Sequence, residues 1–394
     1  MRWNNERIKK INAHLFENSL HLINTNTGRV LNLYKLLRNP NRYISRKSYF
    51  PEDPLKSKRR ILFDNVIHIL KYGELNKYYF LFGLDRKEKN DLNQYVSHKT
   101  LVHFRNKRNL FPQNQQLHYN FICILRDKLI FGAFFKGLNI PTPENIATTD
   151  GKTFHLLLTK EILPFERITD FDIDAFCKVL TGEQGKGTFH LEIRNKNIYS
   201  NGELISLNQL KHRLVGEEWL IQKCIDNQHE QLRKLYPHSI NTIRLMTANS
   251  GNSIEILGAV LRMGLNGNRV DNGSAGGITV GIDISTGELT RWGYFKPGFG
   301  TKEEKHPDTG ILFKGFKLPY FQEAINQAIY AHRLLKGIYS IGWDIAITTK
   351  GPVFVEGNDN WEVGLYQLVN GGVKDSFKRI FKNIPVKSNR NNIT

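Results

Sequence analysis

Glu356 and Asn358 stand two residues apart at the end of the hydrophobic run Val353-Phe354-Val355, in the stretch VFVEGNDNWEVG (353–364). The run reads as a strand, and Gly357 and Gly364 bound the polar part. Side chains at i and i+2 of a strand point to one face, so a carboxylate and an amide oxygen are presented side by side. Oxygen pairs at a strand end suit a hard cation such as magnesium. Asp344 lies upstream in SIGWDIAITTKGPVFVEGN (340–358), which reads as a hairpin turning at Lys350-Gly351-Pro352. That turn sets 344 and 356 roughly opposite each other, so Asp344, Glu356 and Asn358 can converge on one ion or two. The absence of a nearby His or Cys argues against zinc.

A second group of residues suits phosphate. KVLTGEQGKGTF (178–189) carries Gly182, Gly185 and Gly187 between two strands, with Lys178 on the first. Glycines let a backbone approach phosphate oxygens and donate N–H groups, and a lysine neutralises the charge. The spacing matches neither a Walker A loop nor a Rossmann fingerprint, because no helix follows. Arg244 and Arg262 fall on the two strands of another hairpin, SINTIRLMTAN and SIEILGAVLRMG. A planar guanidinium fork fits phosphate or carboxylate oxygens. Asn272 and Gly276-Gly277 follow in DNGSAGG.

The elements that must position these residues come in two styles. Residues 1–117 read as mostly helical. Ile8, Ile11, Leu15, Leu20 and Ile23 recur at helical spacing, as do Ile61, Val66, Ile69 and Leu70 ahead of a stop at Gly73. The aromatic stretch GELNKYYFLFGLD (73–85) reads as core. From about residue 118, strands and helices mix: a helix and short strand around 121–148, a strand at WLIQKCI (219–225), an amphipathic helix at 319–337 and the hairpins already described. The pattern predicts an α+β fold. The chain of 394 residues carries a net charge of +19. Residues 1–60 hold 14 Lys/Arg against 4 Asp/Glu, a net of +10. Such a bias points to an anionic partner or membrane surface, or to a solvated basic face. No nucleic-acid motif accompanies it, so nucleic acid is not the expected partner. Three scattered cysteines form neither a disulfide framework nor a zinc site. No apolar run approaches the ~18 residues needed to span a bilayer, and the first residues lack a secretory pattern. The expected compartment is the cytoplasm, with the inner membrane surface as the alternative position.

Taken in order, these stretches resemble the ATP-grasp enzymes, from about Asp127 to Gln367. RDKLIFGAFFKGLNIPTP (126–143) looks like that family's opening helix, and WLIQKCI like its hinge strand. NTIRLMT, GAVLRMG and DNGSAGG are similar to the strand–strand–loop of glutamate ligases of that family. HILKYGELNKYYFLFGLD (68–85), YPHSINTIR (236–244) and KHPDTG (305–310) resemble the sugar-transfer-associated subgroup. The resemblance implies two lobes holding ATP between them: an N-lobe over 118–222 and a C-lobe over 223–386, followed by a tail at 387–394. It implies that Lys128, Lys178 and the 182–187 loop bind phosphates. Gln222, Lys223 and Ile225 would hold adenine, and Asn272 would join the arginines. Asp344, Glu356 and Asn358 would bind Mg2+, two ions being the family pattern. Two departures stand out. The first 115 residues are basic and helical where many members begin with a Rossmann-like domain. Gly342 stands two residues before Asp344, where peptide-forming members often carry an arginine.

The expected activity is ATP-dependent carboxylate–amine ligation through an acyl phosphate, in polysaccharide or cell-surface biosynthesis, with small or glycan-linked substrates. Arg244 and Arg262 would stabilise charge, and His306 would assist the amine. The alternatives are a phosphotransferase on the same fold, acting on a sugar hydroxyl, and a non-catalytic binder of an anionic partner. Oligomeric state is open, a homodimer being the commonest case.

Overall fold

The computed structural model describes residues 5–102, 121–182, 187–268 and 276–381. Gly185, Asn272 and the tail at 387–394 therefore lie outside the described residues.

Two helices dominate the first hundred residues: Asn5–Arg38 and Lys58–Tyr72, with a short turn of helix at Asn41–Ile44 between them. Ser57 caps the second, its Oγ accepting the Arg60 N–H at 3.3 Å, and Gly73 ends it at φ +70°. A Cβ at Gly28 would collide with the Gly73 carbonyl, so this helix crossing needs glycine on both sides. Helix does not continue through the region. Residues 73–95 fold as turns with one 3-10 turn at Leu92–Gln94, because their aromatics are too dense for a single helical stripe. Tyr79, Phe80, Leu81, Phe82 and Leu84 are buried there with Tyr49 and Tyr95, as the sequence predicts. This core is pinned to the rest of the chain. Tyr49 Oη donates to the Phe295 carbonyl at 2.9 Å, and Val96 exchanges hydrogen bonds with the Gln367 amide at 2.6 and 2.9 Å.

The first sheet uses residues 145–223. Its strands are β1 (Asn145–Thr149), β2 (Thr153–Leu156), β3 (Ile162–Pro164), β4 (Ile173–Val179), β5 (Phe189–Arg194), β6 (Asn197–Ser200), β7 (Glu203–Ile205) and β8 (Trp219–Lys223). Their order is β3-β2-β1-β8-β4-β5-β6-β7, with antiparallel pairing throughout. Along β4, Ile173, Ala175 and Cys177 enter the core, which sends Asp174, Phe176 and Lys178 to the opposite face.

The second sheet uses β9 (Thr242–Asn249), β10 (Ile254–Met263), β11 (Ile278–Ile282), β12 (Leu289–Phe295), β13 (Lys302–Glu303), β14 (Ser340–Thr348) and β15 (Gly351–Asn358). The order is β13-β12-β11-β10-β9-β14-β15, again antiparallel. β14 is buried along its whole length, Asp344 included, and its Ile, Trp and Ala side chains fill the core around that carboxylate. The helix Phe321–Leu334 covers the sheet with Phe321, Ala324, Ile325, Ala328 and Ala331.

The segment before the first sheet differs from expectation. Asp127 interrupts what reads as one helix, giving Ile122–Arg126 and Lys128–Gly137, and its Oδ1 caps the second by accepting the Ile130 N–H at 2.9 Å. Leu125, Phe131 and Phe135 of this segment pack into the core of the second sheet, with the Phe135 ring edge-on to Trp343 at 5.8 Å. The opening helix thus belongs by packing to the sheet that carries Asp344, not to the lobe drawn at 118–222.

Candidate active site

Four adjacent strands bring the charged residues together. Asp344 on β14 pairs directly with Arg244 on β9 and with Glu356 on β15. Arg262 on β10 faces Thr242, two residues from Arg244, and Asn358 lies two residues from Glu356. Residues opposite one another, or two apart, share a sheet face. One face therefore carries Arg262, Arg244, Asp344, Glu356 and Asn358.

The contacts follow from that register. Arg244 grips Asp344 with both prongs of its fork: Nε donates to Oδ1 and Nη2 to Oδ2, the latter at 2.8 Å. Arg262 Nη2 reaches the same Oδ2 at 3.3 Å and donates to Thr242 Oγ1 at 2.8 Å. The Asp344 side chain is 4% exposed. Burial works against its ionisation, but the Arg244 and Arg262 guanidiniums overcome this and hold its carboxyl well below the usual carboxylate range. Glu356 behaves oppositely. Burial, and then the neighbouring Asp344 charge, push its carboxyl up, and Asn358 Nδ2 donates to its Oε1 at 3.0 Å. Burial and the Asp344 charge thus work against ionisation of Glu356, whereas the two guanidiniums favour it at Asp344.

The other wall of the site is lysine and amide. Lys178 Nζ donates to Gln222 Oε1 at 2.7 Å, and Gln222 Nε2 donates to Asn145 Oδ1 at 2.9 Å. Burial lowers the Lys178 pKa, while the charges of Glu356 and Asp344 act to raise it, so this ammonium lies within the field of the second sheet's carboxylates. Lys128 Nζ donates to the carbonyls of Gly182 at 2.6 Å and Leu180 at 3.4 Å, which ties the opening helix to the start of the glycine loop. Gly187 closes that loop at φ +75°, with Val179 Cγ2 only 2.7 Å from where a Cβ would stand.

Several predicted residues take other places. His306 is fully buried, stacked on Tyr236 at 5.1 Å; its Nε2 donates to the Gly264 carbonyl at 3.1 Å and its Nδ1 accepts the Asp308 N–H at 3.3 Å. Burial lowers its pKa. A neutral ring with both nitrogens engaged and no exposure does not reach a substrate amine, which corrects its assignment as a base. The buried Gln222 side chain positions Lys178, so it is not directed to a nucleobase. Lys223 is exposed, 3.9 Å from Glu144, and its backbone N–H donates to the Glu144 carbonyl at 2.8 Å. Ile225 follows β8, half-buried. Cys224, read as too scattered for metal, lies with Asp174 and His190 so that one ligand atom from each falls within 4.8 Å of the others. Asp174 and His190 already satisfy each other at 2.6 Å.

Sequence reasoning missed Arg126 and Asp359. Arg126 Nε and Nη2 donate to the two Asp359 oxygens at 3.0 and 2.8 Å, which fastens the opening helix to the end of β15. Each is a direct neighbour or near neighbour of a chosen residue, and the signal was the unexplained acid in GNDN. Thr242 and Asn145 were also missed; register alone reveals them. Gly342 has a structural reason, because a Cβ there would lie 2.6 Å from the Trp361 Cβ.

The cluster fits a divalent cation. Its donors are all oxygens, and two of them belong to the adjacent carboxylates of Asp344 and Glu356, whose mutual repulsion a cation can offset. Four cationic side chains surround the same site, which suits polyphosphate.

Two antiparallel sheets that face lysines toward arginine-bound carboxylates define a nucleotide-grasping α+β protein. Residues 107–382 match the family described as sugar-transfer associated ATP-grasp, and the chain belongs to that family. No curated protein matches the chain. Among solved structures it is similar to the D-alanine–D-alanine ligase of Helicobacter pylori, at 10% identity and TM-score 0.39, covering 66% of this chain and 62% of that one. It is similar to the Bacillus anthracis D-alanine–D-alanine ligase complexed with ATP, at 13% identity and TM-score 0.35, covering 64% and 62%. It also resembles N5-carboxyaminoimidazole ribonucleotide synthetase of Thermus thermophilus, at 13% identity and TM-score 0.33, covering 60% and 45%. The chain thus spans between 45% and 62% of these proteins' lengths. Likeness at this level does not extend to substrate or product.

Proposed function

We propose that the protein is an ATP-dependent carboxylate–amine ligase serving the biosynthesis or modification of a polysaccharide or related cell-surface metabolite. The observation that carries this reading is the face joining Asp344, Glu356 and Asn358 to Arg244 and Arg262, within the field of Lys178. A substrate carboxylate oxygen attacks the γ-phosphorus of ATP, the bond to the β-phosphate oxygen breaks, and ADP leaves. The amine then attacks the acyl phosphate carbonyl, phosphate departs and the amine loses a proton. The first step needs positioning and charge neutralisation more than covalent help.

Magnesium, held by Asp344, Glu356 and Asn358, would neutralise and orient the phosphates. Lys128 and Lys178 exchange carbonyl and amide partners for phosphate oxygens, a gain because charge-assisted bonds are stronger than those to neutral acceptors. Arg262, fixed by Thr242, keeps one orientation beside Asp344. Arg244 would offer its fork to phosphoryl oxygens.

The test is ATP turnover with magnesium against acidic sugars, amino acids and amines, with products identified by mass. ADP, phosphate and a product one water lighter than its two substrates support the ligase. A phosphorylated acceptor without condensation overturns it. Turnover that survives both Asp344→Asn and Glu356→Gln removes the site itself.

A further inference from the structure

Nine of the 19 exposed large apolar side chains among the described residues lie on just two helices, Asn5–Arg38 and Lys58–Tyr72. On the first, Ile23, Val30, Tyr34 and Leu37 are 60%, 71%, 60% and 68% exposed. Their spacing of seven, four and three residues places them on one side. The helix packs by its opposite side, through Thr25, Gly28 and Asn32 against Gly73, and through buried Leu36. On the second helix, Phe63, Ile67 and Leu70 are 54%, 38% and 50% exposed, again at helical spacing, while Ile61, Asp64, Asn65, His68 and Ile69 are buried. Each helix therefore holds an apolar stripe turned away from its own packing contacts.

The charges around the stripes have one sign. Arg59 and Arg60 stand one turn before Phe63, with the Arg60 guanidinium 5.6 Å from the Phe63 ring. Lys71 stands one turn after Ile67, and Lys35 and Arg38 stand one turn after Leu31 and Tyr34; all five basic residues are exposed. The acids of residues 21–72 are already used: Glu52 pairs with Lys302, Asp53 with Arg86, and buried Asp64 with Lys56 and with Arg60. Among these acids only Asp64, through Arg60, offsets part of the basic border, which leaves Arg59, Lys71, Lys35 and Arg38.

We propose that these two helices seat the protein on an anionic phospholipid surface. The apolar side chains enter the boundary between headgroups and acyl chains, and the arginines and lysines lie against lipid phosphates. An apolar stripe with a cationic border is the signature of a helix lying in the membrane plane. The other occupants fit less well. A second copy would bring like charges together, and a hydrophilic polyanion leaves the stripe in water. No helix among the described residues is long and apolar enough to cross a membrane, so the association is one of surface contact. This inference is independent of the reaction proposed above.

The test is co-sedimentation of the full chain with phosphatidylcholine vesicles, with and without phosphatidylglycerol. The expected result is retention on the anionic vesicles alone, declining as salt is raised. The double variant Val30→Asp, Leu37→Asp, at exposed positions outside the core, weakens partitioning about tenfold or more. Arg59→Glu with Lys35→Glu abolishes the preference for phosphatidylglycerol. Circular dichroism and thermal melting verify that the variants fold. Absence of retention, or retention unchanged in the Asp variants, overturns the proposal. So does a dimer by light scattering that Val30→Asp, Leu37→Asp converts to monomer, since the face then joins two copies.

Discussion

On the second sheet the site's charges are matched within the protein: Asp344 is held by Arg244 and Arg262, and burial beside Asp344 raises the Glu356 pKa. On the first sheet and its glycine loop the lysines donate to uncharged groups: Lys178 to the Gln222 amide and Lys128, among its contacts, to two carbonyls. The carboxylate wall is built into four hydrogen-bonded strands and fixed before any ligand arrives. The lysine wall has its partners on loops and amides, and gains charge compensation when polyphosphate enters. One wall is structural as well as chemical, and the other is held in reserve for the ligand.

Substitutions should separate the two. Asp344→Ala leaves two guanidiniums in a buried site without their partner, and the expected loss is about 3–5 kcal/mol of folding stability. Urea denaturation measures it, and Arg244→Met combined with Asp344→Leu should recover a large share. If the single variant is as stable as the parent, the carboxylate wall is no framework.

Acid probes the same half of the molecule. His332, buried behind the second sheet, donates from Nε2 to the Ile338 carbonyl and has its pKa lowered from 6.5 to about 4 by burial. The unfolded chain therefore binds a proton that the folded one refuses. The stabilisation is complete above about pH 6.5 and is lost as pH falls toward 4, by about 3 kcal/mol in total. His332→Gln should flatten that dependence in denaturation curves taken across the window.

Gly342→Ala on β14 drives a methyl group into the Trp361 side chain, with an expected cost of about 1–3 kcal/mol in the same assay. Lys178→Met is the mildest, since it removes a desolvated ammonium whose protein partner is neutral. Stability should move by less than about 1 kcal/mol, while ATP affinity, read by calorimetry, falls about tenfold. Equal losses of stability at Lys178 and Asp344 would erase the distinction between the walls.

Legibility followed physical range. The hairpin at 340–358 was readable because strand parity and one turn fix Asp344 opposite Glu356. The pairing of Arg244 with Asp344 joins residues 100 apart, and no local pattern announces it. The strands that carry the site residues, β4, β9, β10, β14 and β15, showed in the sequence, whereas β2, β3, β6, β7 and β11 to β13 did not, and Gly73 marked its helix end. The break at Asp127 did not show, because an aspartate cap looks like one more polar residue in a helical run. His306 misled for a related reason: a histidine in a Pro- and Asp-containing loop looks available, and only the stacked Tyr236 ring reveals that it is core. The burial of residues 73–85 was legible from aromatic density alone.

The clamp between Arg126 and Asp359 makes the molecule its own caliper. It rivets the short helix Ile122–Arg126, which leads directly into the helix bearing Lys128, to the end of β15, whereas Lys178 rides on β4 of the other sheet. The gap between those two ammonium groups is thus a gauge of how widely the halves stand apart. The Lys128 contacts to Leu180 and Gly182 act as its latch, and any swing of the halves must release that latch before the glycine loop can follow its own sheet.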